Sequence, residues 1–301
     1  MRRHIAAVLG AGICWGTMGF FTRNLAQMGI GSDGAIIIRC AVAVICFALV
    51  MLIKDPSSFK VKPKDFWCFL GSGLLSFLFF TFCYFTAISM MSLSAAAILL
   101  YIAPIVVTLL SALLFKEKLT PVKIIAVITA FLGCCLVSGL MGGISITGKG
   151  ILFGIWSGVG YALYTIFSRF ALQRGYTSNT INFYSCLLAG IGAVIIWHPH
   201  DLLENVSASA GNAVFCVIAG IVTCFVPYLL YTFSLTGLEN GKASVLASIE
   251  PVVASLVGVL LFGEKLGAAN IAGVILVLAA VVLLNVKTNP ARKEVHDNEH
   301  A

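Results

Sequence analysis

Ten apolar runs, each close to twenty residues long, follow one another along the chain with short polar segments between them. They cover residues 5–23, 35–53, 66–89, 94–115, 122–141, 149–171, 181–198, 212–235, 243–262 and 268–286. A helix of ~20 residues spans the roughly 30 Å hydrocarbon core of a bilayer. Strands of a membrane barrel would alternate in polarity, and these runs do not, so each run is predicted to be a helix. The charge content agrees: 10% of the 301 residues are charged and 60% are hydrophobic. A soluble domain carries about 25% charged residues, enough to wet its surface. The first run follows "MRRH", as a signal peptide would. With nine more runs behind it, it reads as a retained helix. The predicted class is an all-α integral membrane protein with ten transmembrane helices. The polar tail, residues 287–301, is expected to be disordered and cytoplasmic.

The formal net charge of +7 raises the question of a polyanion partner. The distribution of the charges answers it. If the N-terminus is cytoplasmic, all of the 19 Lys and Arg residues except Arg23, Arg39, Lys149 and Lys265 fall on the inner side. This is the positive-inside bias of a multi-pass protein. It places both termini in the cytoplasm, with the chain in the cytoplasmic membrane, and accounts for the basic balance without nucleic acid. The ten cysteines all lie inside runs and form no CxxC pair. They read as small apolar packing residues rather than as metal ligands or disulfides.

The chain also repeats itself. "LLYIAPIVVTLLSALLFKEKL" from Leu99 aligns with "LASIEPVVASLVGVLLFGEKL" from Leu246 at an offset of 147, pairing Pro104 with Pro251, Glu117 with Glu264 and Leu119 with Leu266. At an offset of 146, "CWGTMGFFTR" meets "GYALYTIFSR", which pairs Trp15 with Tyr161 and Arg23 with Arg169. The units are residues 1–141 and 142–286, with five runs each. Five is odd, so the second unit enters the membrane from the opposite side. Two inverted five-helix repeats are an architecture typical of secondary transporters.

The paired "P…LLFKEKL" and "EPVVASLVGVLLFGEKL" segments, the "CWG" of the first run and the "IIIRCAVA" of the second resemble the EamA-type family of the drug/metabolite transporter superfamily. The resemblance covers residues 5–286. It implies ten helices, a central cavity and a small metabolite or amino acid as cargo, most often exported. Arg39 has no basic counterpart in the seventh run, where "TINFYSC" stands, so the halves are not functionally equivalent. The expected function is therefore a secondary transporter working by alternating access, not an enzyme, and needing no cofactor. An uptake permease of the same fold is the alternative, with a membrane enzyme or channel further away. No Walker loop, HExxH or GxSxG is present. The expected partners are a small-molecule substrate, the lipid bilayer, a proton as the coupling ion and a second copy of the chain.

Some residues stand out inside the runs. Glu250 precedes Pro251 in an apolar stretch, where the first copy has Ala103 before Pro104. An ionisable side chain at that depth is costly, which makes it a functional candidate. It either holds a proton, carrying it as the coupling ion, or stays charged by facing water or a cargo amine. The structural alternative is a protonated carboxyl bonded to a neighbouring carbonyl or Tyr hydroxyl. Ala97, Tyr101, Pro104, Thr108 and Ser111 share one helix face, and their partners Ser244, Ser248, Pro251, Ser255 and Gly258 are equally small or polar. Such a stripe serves close helix packing or lines a cavity. Pro104 and Pro251 are expected to kink their helices. Trp15, Tyr84, Tyr101 and Tyr231 lie deep enough in their runs to touch cargo. Arg39 is expected near the outer surface, snorkelling, facing the cavity mouth, or paired with Asp33 or Glu264. Two gate pairs, Arg23 with Glu264 and Arg169 with Glu117, would link the halves at opposite ends.

Overall fold

The computed structural model describes residues 1–91, 93–138, 147–198, 201–263 and 265–285. Among these, the regular elements are all helical. Nine helices are long and apolar enough to cross a membrane: α1 (Arg2–Gln27), α2 (Ser32–Lys54), α3 (Pro63–Met90), α4 (Ala95–Phe115), α6 (Gly148–Gln173), α7 (Ser178–Trp197), α8 (Ala210–Leu235), α9 (Asn240–Phe262) and α10 (Ala268–Asn285). The remaining one, α5 (Pro121–Val137), has 17 residues and is as apolar as the rest. Every predicted run falls on one of these ten helices. The tail at 287–301, the last residues of the fifth run and Glu264 lie outside the described residues.

Polar side chains start the helices where the chain turns back. Thr120, Thr147, Thr177 and Ser209 each cap a helix N-terminus by accepting from a main-chain N–H three residues on. The connections sort into two ends. At the terminal end, His4 of α1 stacks on Phe233 of α8, and the Tyr176 hydroxyl meets the main-chain N–H of Lys62. At the far end, the Thr147 hydroxyl donates to the Met90 carbonyl and the Asn205 amide donates to the Gly29 carbonyl. Around the perimeter, large apolar side chains such as Ile53, Leu113 and Leu260 are more than three-quarters exposed. Such a surface suits hydrocarbon, not water.

The two halves share three irregularities. The first is a break in α4 and α9. The α4 helix interrupts at Tyr101–Ile102 and resumes at Ala103; α9 interrupts at Ser248–Ile249 and resumes at Glu250. In each case a proline, Pro104 or Pro251, sits at the second position of the resumed helix, where its missing N–H costs least. The second is a left-handed residue at the end of each broken helix, Lys116 at φ 55° and Gly263 at φ 65°. The third is a π-helical stretch within α3 (Gly71–Leu78) and within α8 (Ile221–Phe225). At the offset of 147 these three features coincide.

Glycines carry the closest crossings. A Cβ on Gly12 or Gly16 of α1 would stand 2.6 Å from Ile249 or 2.5 Å from Val253, beside the α9 break. A Cβ on Gly154 or Gly158 of α6 would stand 2.4 Å from Leu99 or 2.6 Å from Ile102, beside the α4 break. The GxxxG spacings thus let α1 lie against α9 and α6 against α4. Each broken helix is held by a helix of the other half.

Candidate functional site

Six helices, α1, α3, α4, α6, α8 and α9, enclose a small central cavity at the level of the two breaks. Trp15 enters from α1, Tyr101 and Pro104 from α4, Tyr161 from α6, Tyr231 from α8, and Ser248 and Glu250 from α9. The Trp15 ring lies 5.4 Å from Tyr228, 5.4 Å from Tyr231 and 6.4 Å from Tyr161, mostly edge to face. Phe77 and Phe80 of α3 close the other side, 5.0 Å from Tyr228 and 5.4 Å from Tyr161. The π-helical stretch of α3 turns Ser76 toward α6, where its hydroxyl donates to the Gly160 carbonyl at 2.7 Å. Free space inside is ≈ 20 Å³, room for about one water.

Glu250 keeps solvent-accessible surface although it lies deep in the bundle, because it faces this cavity. The break in α9 accounts for its position: as the first residue of the resumed helix, it projects from the point where the chain changes direction. Tyr161 points its hydroxyl at the carboxyl, and Tyr84 and Tyr101 are within electrostatic reach. Ala103, the equivalent residue of the first half, is 1% exposed and packs in a dry cluster with Val107 and Ala162.

Above the cavity, toward the far end, a vestibule of ≈ 390 Å³ opens between α1, α4 and α9. Gly16, Gly19 and Arg23 of α1, Tyr84 of α3, and Pro251 and Ser255 of α9 are among its lining residues. Tyr101 lines both spaces and separates them. The predicted small-residue stripe therefore follows the path: its upper members line the vestibule and its lower members, Pro104, Ser244 and Ser248, line the cavity.

Below the cavity the terminal end is closed by a polar knot. The Glu117 carboxylate accepts from the main-chain N–H of Asn240 at 2.7 Å and of Gly241 at 3.3 Å, at the N-terminus of α9. The helix dipole favours a negative charge there. Lys123 is 4% exposed and bridges Glu117 at 3.3 Å and Glu239 at 2.7 Å. The Asn240 side chain is fully buried, accepts from Arg169 Nε at 2.6 Å and donates to the Ser111 hydroxyl at 3.1 Å. Arg169 also donates to the Leu238 carbonyl. Arg169 and Glu117 therefore meet through Asn240 rather than as a direct ion pair. The other expected pair cannot be described, since Glu264 lies outside the described residues; Arg23 holds its guanidinium 4.2 Å above the Phe262 ring.

Arg39 departs from expectation. It reaches across to α8 and donates to the Thr223 carbonyl at 2.9 Å, with Met18 sulfur 3.6 Å away. The π-helical stretch of α8 contains Thr223, and such a stretch loosens the carbonyl ladder. Among the described residues the partner of Arg39 is a main-chain oxygen rather than Asp33, and its Nε is buried without an acceptor; the alternative partner Glu264 lies outside the described residues. Asn240 and Lys123 did not stand out in the sequence because they sit at helix ends, where polar residues are ordinary. Asn182 did carry a signal, as an amide inside an apolar run. It is fully buried and joins the Tyr164 hydroxyl of α6 to the Thr232 hydroxyl of α8.

Comparison with known proteins fits this architecture. The profile of the EamA-like transporter family matches twice, over residues 2–139 and 148–286. The chain belongs to this family. A protein of Archaeoglobus fulgidus named as an uncharacterized transporter is 28% identical over 283 residues, covering 94% of this chain and 96% of its own length. YxxF of Bacillus subtilis, also named as an uncharacterized transporter, is 25% identical over 280 residues, covering 91% and 87%. A solved crystal structure superposes with a TM-score of 0.77 at 18% identity, over 93% of this chain and 95% of that one. This last likeness concerns the fold alone. The protein is a membrane transporter of the EamA family, with the lipid bilayer and a small-molecule substrate as its surroundings.

Proposed function

We propose that the chain is a secondary transporter that exports a small metabolite across the cytoplasmic membrane by alternating access between two inverted five-helix repeats. One observation carries this reading: access to the central cavity is one-sided. The vestibule reaches Tyr101 from the far end, while the Glu117–Asn240–Arg169 knot closes the terminal end. With both termini cytoplasmic, as the positive-inside bias favours, this is an outward-facing state. The breaks in α4 and α9 act as hinges, because the regular helix is interrupted at Tyr101–Ile102 and Ser248–Ile249 and each broken helix is clamped by a helix of the opposite repeat. Glu250 is the coupling or binding group at the hinge, carrying a proton or the cargo's positive charge. Trp15, Tyr84, Tyr101, Tyr231 and Ser248 form the walls that cargo touches, and Arg39 props the vestibule side of α8. Arg23 and Glu264 serve the far gate as Arg169 and Glu117 serve the terminal one. Homodimerisation is part of the proposal and rests on no contact described above.

The test uses accessibility from each side. Ser255→Cys reports on the vestibule and Ser244→Cys on the cavity floor, each in a background with the ten native cysteines replaced. A charged thiosulfonate added outside is expected to label Ser255→Cys; one added inside labels Ser244→Cys only when Ser255→Cys becomes protected. Simultaneous labelling of both from one side would describe a channel and overturn the proposal.

A further inference from the structure

The seam between α2 and α7 carries a polar cleft at its terminal end and an apolar groove deeper down. The cleft, of ≈ 220 Å³, lies where the 55–62 connection of the first half meets the 174–177 connection of the second. Lys60, Lys62 and Arg174 line it with the hydroxyl-bearing Ser57, Ser58 and Thr177. Its walls are fixed by bonds between the halves. The Tyr176 hydroxyl accepts from the Lys62 main-chain N–H at 3.1 Å and donates to the Asp65 carboxylate at 2.9 Å. The Thr180 and Tyr184 hydroxyls donate to the Ser58 and Phe59 carbonyls at 2.9 and 2.7 Å. Positive charge is in excess there. Both nearby carboxylates are committed: Asp55 accepts from the main-chain N–H and the hydroxyl of Ser57, and the buried Asp65 accepts from Arg174 Nε at 3.1 Å. Against these two acids stand Lys54, Lys60, Lys62, Lys64 and Arg174. Lys60 and Lys62 are exposed and form no ion pair among the described residues.

The surroundings set the depth of the cleft. The Arg174 guanidinium lies 4.9 Å over the Trp67 ring, and tryptophan favours the head-group level of a bilayer. Ile53, two residues before Asp55, is 81% exposed and belongs to hydrocarbon. The groove, of ≈ 330 Å³, is walled by Ile37, Ala41 and Val44 of α2 and by Gly190, Ile191 and Val194 of α7. Among the described residues no charged side chain lines it. Val44 is ten residues before Lys54, ~15 Å along a helix, or about half the hydrocarbon thickness. The groove therefore sits at the depth of the acyl chains whose head groups meet the cleft. A free anion would fill only the upper space, and a neutral lipid would leave the lysines without a counter-ion.

We infer that the α2–α7 seam binds one anionic phospholipid, with its phosphate in the cleft among Lys60, Lys62 and Arg174 and an acyl chain in the groove. The head group ties the two halves together at the terminal end, because the cleft takes its walls from both. The site needs only that the helices cross a bilayer, and it stands whichever way transport runs.

Native mass spectrometry of the full chain in a neutral detergent tests the assignment by titration with dioleoyl phosphatidylglycerol, dioleoyl phosphatidylcholine and inorganic phosphate. Phosphatidylglycerol is expected to bind once per chain, roughly tenfold more tightly than phosphatidylcholine. Lys60→Ala with Lys62→Ala is expected to bring it down to the phosphatidylcholine level. Arg2→Ala with Arg3→Ala removes two cations of the same end outside the cleft and is expected to leave it unchanged. Ala41→Phe fills the groove and is expected to weaken the dioleoyl lipid but not dihexanoyl phosphatidylglycerol, whose short tails do not reach that depth. Circular-dichroism melting of each variant establishes that it is folded. Equal binding of the two dioleoyl lipids, or equal losses in the two double variants, would reduce the cleft to a general basic surface and overturn the inference. Inorganic phosphate displacing the lipid at equal concentration would overturn it in favour of a free-anion site. Equal affinity of the unsubstituted chain for dihexanoyl and dioleoyl phosphatidylglycerol would remove the groove from the site and overturn the seating of one lipid in both spaces.

Discussion

Replacing Asn240 with alanine should open the terminal end. The side chain is fully buried and makes two bonds, accepting from Arg169 Nε at 2.6 Å and donating to the Ser111 hydroxyl at 3.1 Å. A bond to a charged group contributes about 1.5–3 kcal/mol and a neutral one about 1 kcal/mol. Arg169 retains the Leu238 carbonyl, and the main-chain N–H of residue 240 still meets Glu117, so the knot is weakened rather than removed. The closed state should lose about 3 kcal/mol, close to a hundredfold in a two-state equilibrium. Hydration of the Arg169 guanidinium once the end opens returns part of this, which sets tenfold as the lower expectation.

The assay is the labelling rate of Ser244→Cys by a charged thiosulfonate added from the terminal side, with and without Asn240→Ala. Ser111→Ala removes only the weaker bond and is expected to raise the rate about fivefold. A change of less than twofold in Asn240→Ala, with the protein folded, would mean that the knot does not hold this end shut. The energy holding it would then lie in the apolar packing of α4, α6 and α9.

Four further expectations follow from single residues. Lys116→Gly should raise the thermal midpoint, gaining about 1 kcal/mol, because a Cβ at φ 55° is strained and glycine is not; a lower midpoint would contradict this. Gly16→Ala should destabilise by about 1–3 kcal/mol through overpacking, since its Cβ would fall 2.5 Å from Val253, whereas Gly19→Ala meets nothing within 4 Å and should melt as the parent does. Glu250→Gln keeps size and hydrogen bonding but cannot titrate, so the pH dependence of proteoliposome flux should disappear; an unchanged rate and profile would leave the carboxyl a structural role. Moving the acid to the other break, by Ala103→Glu with Glu250→Ala, should neither restore flux nor preserve the thermal midpoint, because Ala103 is 1% exposed in an apolar cluster.

Much of this was legible in the residues. Hydropathy marks all ten helices because the bilayer imposes a minimum apolar length. The offset of 147 pairs Pro104 with Pro251 and so foretells two equivalent breaks. The depth of Glu250, Trp15, Tyr101 and Tyr231 was readable as well, and the cavity gathers all four. What the sequence left open depends on local backbone irregularity. Arg39 finds its acceptor only because α8 turns π-helical around Thr223, and nothing in "IVTCF" announces that. The knot at the terminal end escaped for a different reason. Its direct ion pair was plausible by topology, but the side chain that joins the two charges is a neutral amide in "ENGK", a segment that reads as a loop.

The asymmetry between Ala103 and Glu250 follows from which space each break faces. Both breaks use the same device: a stop, a proline one residue into the restart, and a glycine-bearing helix of the other half pressed against the gap. If both restarted with an acid, two carboxyls would lie near one cavity of ≈ 20 Å³, and like charges at short range raise each other's energy. One of them would also be dry, because the α4 restart packs against Ala162 of α6 while the α9 restart opens on the cavity. A single acid at the wet break avoids both penalties. Under the proposed alternating-access mechanism it would also give the paired hinges one chemically distinct point, where a single charge on the cargo or a proton biases the exchange between the two states.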